Sequence, residues 1–287
     1  MDIQFIAHLL NGLLMIAMPV GLAIYLTGRW KLGGRIWWIG AATFILSQIG
    51  HIPFNWIAGK ILNQTGMVAW DPTFQLVFNS VFLGISAGIF EEGARYLVMR
   101  WWTKDTRSWR KAVVFGAGHG GAEAIILGMM AMYAFLELTA IRNADLSKLF
   151  PANQLALAQY QVQAYWSSPW YMAMLGALER FFTIPCQIAM AVMVMQVFIR
   201  KNTGWLFAAI GYHALIDGVA VVGQKYLLPA GLEGVIGIFA ILSIAIIFLL
   251  RQPESVEVIP PAAPALVAPV PEPVPETPEN IENTRYQ

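Results

Sequence analysis

Apolar positions along the chain gather into seven blocks, at roughly 5–27, 36–58, 72–102, 111–139, 168–199, 203–224 and 229–250, separated by short polar stretches. A bilayer-spanning helix needs about 20 mainly apolar residues. The pattern therefore predicts an all-α, polytopic membrane helix bundle of about seven transmembrane helices. Residues 1–4 carry no basic n-region and the first block runs past the length of a signal h-region, so it is expected to stay in the mature chain. The connection from Thr139 to Ser167 is long and mixed, and Leu155, Leu157, Tyr160, Tyr165 and Trp166, scattered among polar residues, suit an interfacial helix.

Composition sharpens this picture. The chain is 57% hydrophobic and 12% charged, with a mean hydropathy of +0.58, where soluble domains are about one quarter charged. An ordinary soluble globule is excluded. The lone Cys186 excludes an internal disulfide, and a net charge of +1 leaves no broad basic field for nucleic acid. The expected partner is the lipid bilayer, with the cell membrane as location.

Lys and Arg alternate between loops. Eleven lie after blocks one, three, five and seven, among them Arg29, Lys31, Arg100, Lys104, Arg200 and Arg251; only Lys60, Arg142, Lys148 and Lys225 lie in the others. The positive-inside rule then places the N-terminus outside and the C-terminus in the cytoplasm. Trp37, Trp38, Trp101 and Trp102 fit an interfacial aromatic belt. Residues 1–250 read as the membrane-embedded domain. From 251 to 287 the chain turns to Pro, Ala, Val and Glu, which predicts a disordered, polyproline-like cytoplasmic tail.

Ionisable residues inside apolar blocks are expensive and mark function. Block three holds Glu91, Glu92 and Arg95; block four His119 and Glu123; block five Glu179 and Arg180; block six His213 and Asp217. At 1.5 Å per residue, Glu92, His119 and His213 lie about 15, 12 and 15 Å from the cytoplasmic surface. Three helices thus deliver polar groups to one depth. Arg95 is i+4 from Glu91 and i+3 from Glu92, so it can neutralise one carboxylate while the other, about 100° around the helix, faces a cavity. His119–Glu123 and His213–Asp217 are i,i+4 pairs in which a carboxylate can orient each imidazole. The glycines of Phe115-Gly-Ala-Gly-His-Gly-Gly-Ala-Glu123 suit either close helix packing or room for a substrate. His51, with Gln48 and Asn55, lines an entry path or is satisfied by packing, and so is His8.

Glu91-Glu92-x-x-Arg95, Phe115-x-x-x-His119 and His213-x-x-x-Asp217 resemble, in order and placement, the motif set of the type II CAAX prenyl endopeptidase clan of intramembrane proteases. Within that clan the details look most like the YhfC branch of intramembrane metalloproteases. The resemblance spans about residues 80–220. It implies an intramembrane endopeptidase for a membrane-associated peptide or protein substrate, in which the cavity-facing glutamate of Glu91/Glu92 is the general base and His119 and His213 hold water or stabilise the oxyanion, supported by Arg95, Phe115, Glu123, Asp217, Glu179 and Arg180. In the metal version, His119, His213 and Glu92 hold Zn2+ or another divalent transition metal; otherwise no cofactor is needed. The clan commonly has three residues between the second Glu and the Arg, whereas here Gly93 and Ala94 are two, so prenyl specificity does not transfer. The competing function is a proton- or ion-coupled transporter using the same Glu/His/Arg network.

Overall fold

The computed structural model describes residues 2–104 and 107–253, and the expected tail lies outside the described residues from 254 onward. The described residues form helices and connecting turns, with no strand. In chain order the helices are α1 (Ile3–Trp30), α2 (Arg35–Gln64), α3 (Pro72–Leu97), α4 (Trp109–Ala140), α5 (Ala152–Ser167), the single turn α6 (Trp170–Ala173), α7 (Leu175–Ile199), α8 (Gly204–Tyr226) and α9 (Pro229–Leu249). The mixed connection after Thr139 does contain a helix, α5.

Seven long helices match the seven blocks, and six of them are both long and apolar enough to cross a membrane: α1, α3 with its π-helical extension Val98–Trp102, α4, α7, α8 and α9. The seventh, α2, has 30 residues. Its apolar run is broken by Gln48, His51, Asn55, Lys60 and Asn63. Two of those polar side chains reach α3, as shown below.

Local chemistry sets the helix ends. Asp71 accepts from the backbone N–H groups of Thr73 and Phe74 at 2.9 and 3.1 Å, with Pro72 at the first helical position, which starts α3. Asp2 caps α1 and accepts from Arg142 Nη2 at 2.6 Å, a bond that holds its carboxyl below the usual carboxylate range. Lys31 adopts the left-handed conformation that closes α1.

α7 is the central helix. Of its most apolar stretch 72% is buried, against 22–28% for the other five candidate spans. It packs against α4, α9, α8 and α1. The remaining helices turn one face inward and leave apolar side chains such as Ile24, Ile49, Ile85 and Leu249 exposed, the surface expected of helices bathed in lipid rather than water.

Glycines decide how closely the helices approach. A methyl group at Gly40 of α2 would overlap the Phe115 carbonyl of α4, and one at Gly118 would overlap the Trp37 carbonyl of α2. On the other side of α4, a methyl at Gly116 would come within 2.7 Å of the Ile188 backbone, and one at Gly120 within 2.7 Å of the Gln187 side chain. The glycine-rich run of α4 therefore serves backbone approach to α2 and α7, which resolves the two readings its sequence allowed. Gly84 and Gly88 of α3 similarly meet the backbone of Ala214 and Ile210 on α8. Gly118→Ala is expected to lower stability by about 1–3 kcal/mol through overpacking. Gly59→Ala, whose added methyl meets nothing within 4 Å, should be neutral or slightly stabilising. Thermal unfolding of the two detergent-purified variants beside the parent checks this.

Candidate active site

Three close-packed interfaces, α2 on α4, α4 on α7 and α3 on α8, converge where Glu91, Glu92, Arg95, His119 and His213 meet. All five are buried. Their equal depth in the sequence is thus a real convergence of side chains in space.

The two glutamates have different surroundings. Glu92 is wholly buried; its Oε1 accepts from Arg95 Nη1 and lies 2.9 Å from His213 Nδ1. Glu91 retains 8% side-chain exposure. Its Oε1 accepts from Gln48 Nε2 of α2 at 3.0 Å, and its Oε2 lies 3.1 Å from His119 Nε2, 3.7 Å from Arg95 Nη2 and 4.0 Å from His213 Nε2. One guanidinium therefore serves both carboxylates, one of them in a direct hydrogen bond. An unpaired buried charge costs several kcal/mol, so this pairing is what lets the diad exist inside the bundle.

Each imidazole is oriented by a carboxylate, though not always the expected one. His213 Nε2 faces Asp217 Oδ2 at 3.5 Å, the i,i+4 partner, while its Nδ1 faces Glu92. His119 is oriented by Glu91 of the neighbouring helix and not by its own i+4 residue. Glu123 turns the other way: it accepts from Arg180 Nη1 at 2.6 Å and from Gln187 Nε2 at 2.9 Å. The reason is charge, since Arg180 is 6% exposed and needs a carboxylate, and it takes both Glu123 and Glu179. Phe44 packs edge-on against the His119 ring, with centroids 5.3 Å apart. Phe115, one turn before His119, is fully buried in the apolar core.

Gln187 was not singled out in the sequence and proves to be the junction. Its Oε1 accepts from Arg95 Nη2 and its amide donates to Glu123. A line of ion pairs and hydrogen bonds thus runs from Asp217 and His213 through Glu92, Arg95, Gln187 and Glu123 to Arg180 and Glu179. The available signal was an amide amid the apolar run of the fifth block, because a buried amide must find partners. His51 bonds Ser86 Oγ at 3.1 Å and Asn55 at 2.9 Å, beside the site. His8 stacks on Tyr165 and bonds its carbonyl oxygen, away from it.

Three buried atoms of the cluster, Glu92 Oε2, Arg95 Nε and His119 Nδ1, make no hydrogen bond within the described residues. Each has hydrogen-bonding capacity that no described group uses. Among the described residues no three His, Cys, Asp or Glu side chains are grouped to hold a metal ion, the expected set of His119, His213 and Glu92 included. Arg95 holds Glu92 Oε1, the oxygen that also faces the Nδ1 of His213.

Comparison with known proteins agrees with this architecture. The model of the family described as YhfC intramembrane metalloprotease matches residues 14–242. The chain belongs to the YhfC family. A family relative, the uncharacterized membrane protein YhfC of Bacillus subtilis (strain 168), is 28% identical over 240 residues, covering 82% of this chain and 92% of that protein. No solved structure matches. With its apolar helices, this membership makes the chain an integral membrane protein.

The network's energetics are testable. Arg95→Met, which strands the Glu92 carboxylate, is expected to cost about 3–5 kcal/mol, and the double change with Glu92→Gln considerably less. Gln187→Leu, which leaves Arg95 and Glu123 each short of one partner, should cost about 1–3 kcal/mol. Thermal unfolding in detergent reads all three.

Proposed function

We propose that this YhfC-family chain is an intramembrane peptidase that hydrolyses a peptide bond of a membrane-embedded or membrane-proximal substrate with a glutamate-activated water. The observation that carries this reading is the asymmetry of the diad. Glu92 is locked by Arg95 and His213, whereas Glu91 keeps the little exposure the pair has and sits within reach of both imidazoles.

In this reading Glu91 takes a proton from water as the oxygen attacks the substrate carbonyl carbon. His119 holds the Glu91 carboxylate in place. The Arg95 guanidinium, whose Nε lacks a partner in the described residues, supplies positive charge where the carbonyl oxygen gains charge. The C–N bond then breaks, the amine leaves with a proton delivered by His213, whose two nitrogens face Glu92 and Asp217, and the proton held on Glu91, 4.0 Å from His213 Nε2, returns to that ring. Gln187 and Glu123 fix Arg95 from behind. The family description names a metal; the gathered donors favour a mechanism written with carboxylate, imidazole and guanidinium alone.

The polar line from Asp217 to Glu179 favours one second reading, a proton-coupled carrier, because such a chain also relays protons.

One experiment separates them. Cells expressing the parent or Glu91→Gln are compared by mapping new protein termini with mass spectrometry, and the junctions found are tested as synthetic peptides with purified protein in liposomes. Cleavage is expected with the parent and is expected to fall about 10²–10⁴-fold in Glu91→Gln and in His213→Ala. Absence of parent-dependent termini, together with a proton flux that Asp217→Asn abolishes, would instead establish the carrier. Elemental mass spectrometry is expected to find no stoichiometric transition metal that His119→Ala removes; finding one would replace the metal-free mechanism.

A further inference from the structure

Away from the cluster, a cleft of about 1000 Å³ opens between α1, α4, α7 and α9. Its two ends differ in chemistry. At one end stand four cations, Arg29, Lys31, Arg110 and Arg251, with the indoles of Trp30 and Trp109. Among the described residues no Asp or Glu lines the cleft. Arg251 lies over the Trp109 ring at 5.2 Å, and Trp109 Nε1 donates to the Ile247 carbonyl at 2.7 Å, so the floor of the charged end is held in place. The walls beyond it are apolar, formed by Leu22, Leu26, Ile184, Ile188 and Phe248.

Depth adds a second constraint. The lining of α1 runs from Arg29 back to Met18, a rise of about 16 Å at 1.5 Å per residue. That is about half of a roughly 30 Å hydrocarbon core, the depth of one leaflet. The cleft thus combines a positive, aromatic rim at the height of lipid headgroups with an apolar channel as deep as one acyl chain. Basic pockets between membrane helices hold anionic lipid headgroups by this complementarity.

We infer that this cleft is a binding site for an anionic glycerophospholipid, its phosphate against Arg29, Lys31 and Arg251 and an acyl chain along α1 and α7. A soluble anion would use only the rim. A zwitterionic lipid would use only the walls. The site is independent of the peptidase reading, since none of its lining residues belongs to the Glu91/Glu92 cluster.

A second basic depression, lined by Arg100, Lys104 and Arg107, has a comparable charge but is formed from helix-end residues without the long apolar walls. It is the internal control. The full-length protein is reconstituted in nanodiscs of phosphatidylcholine with 10–30% phosphatidylglycerol, amounts on the order of those at which anionic lipids set surface potentials, and phosphatidylglycerol retained after transfer to detergent is read by native mass spectrometry. The triple change Arg29→Gln/Lys31→Gln/Arg251→Gln is expected to reduce retention at least about tenfold, a few-fold per cation. The Arg100→Gln/Lys104→Gln/Arg107→Gln control should retain it. Gly21→Phe fills the channel from a position whose added Cβ meets nothing within 4 Å; it leaves every cation in place and should also lose the lipid. Equal loss from both triple variants would overturn the site in favour of diffuse surface charge. Loss with the rim variant but full retention with Gly21→Phe, or displacement of the lipid by inorganic phosphate, would overturn it in favour of a simple anion site.

Discussion

The burial of one guanidinium against two adjacent glutamates is the constraint on which this structure turns. Arg95 has no side-chain exposure and Glu92 none either. A charge removed from water is tolerated only when paired and hydrogen-bonded in detail. Adjacent residues on one helix cannot supply that alone, because Glu91 and Glu92 point in directions about 100° apart. The remaining partners come from other helices: Gln48 from α2, His119 from α4, Gln187 from α7 and His213 from α8. Four helices must therefore reach α3 at one level.

Glycine makes that approach feasible. α4 meets α2 through Gly40 and Gly118 and meets α7 through Gly116 and Gly120, so His119 is carried on a helix held close to two neighbours. α3 meets α8 through Gly84 and Gly88, which sets Glu91 and Glu92 one turn away against His213. In lipid no hydrophobic force draws helices together, and tight packing with interhelical hydrogen bonds must do so instead. The site and the fold share the same contacts. A change that loosens the glycine interfaces also moves the carboxylates.

The same economy explains the secondary ion cluster. Arg180 on α7 takes Glu123 from α4 and Glu179 from its own helix, and Gln187 ties this group to Arg95. Glu123 thus acts on the site through Gln187 and Arg95 rather than by touching His119. Polarity is gathered into one continuous internal seam, and the outer faces of the bundle are left apolar.

Length and hydropathy by themselves determined the all-helical membrane architecture, because a spanning helix must satisfy its backbone internally and announces itself as a long apolar run. They also determined which residues were costly enough to need one another: Glu91, Glu92, Arg95, His119 and His213 stand out against a 57% hydrophobic chain. The i,i+4 rule read the His213–Asp217 contact correctly, since both groups lie on one helix. Tertiary structure alone decided the partners across helices. Glu123 obeyed the same spacing yet went to Arg180, because a buried, permanently charged guanidinium on α7 attracts the carboxylate more strongly than an imidazole on α4 does. Gln187 became the junction, and α2, too polar to rank with the other spans, turned Gln48 onto Glu91. Spacing along a helix fixes which side chains share a face, whereas the competition among faces for each charge is settled only when the helices pack.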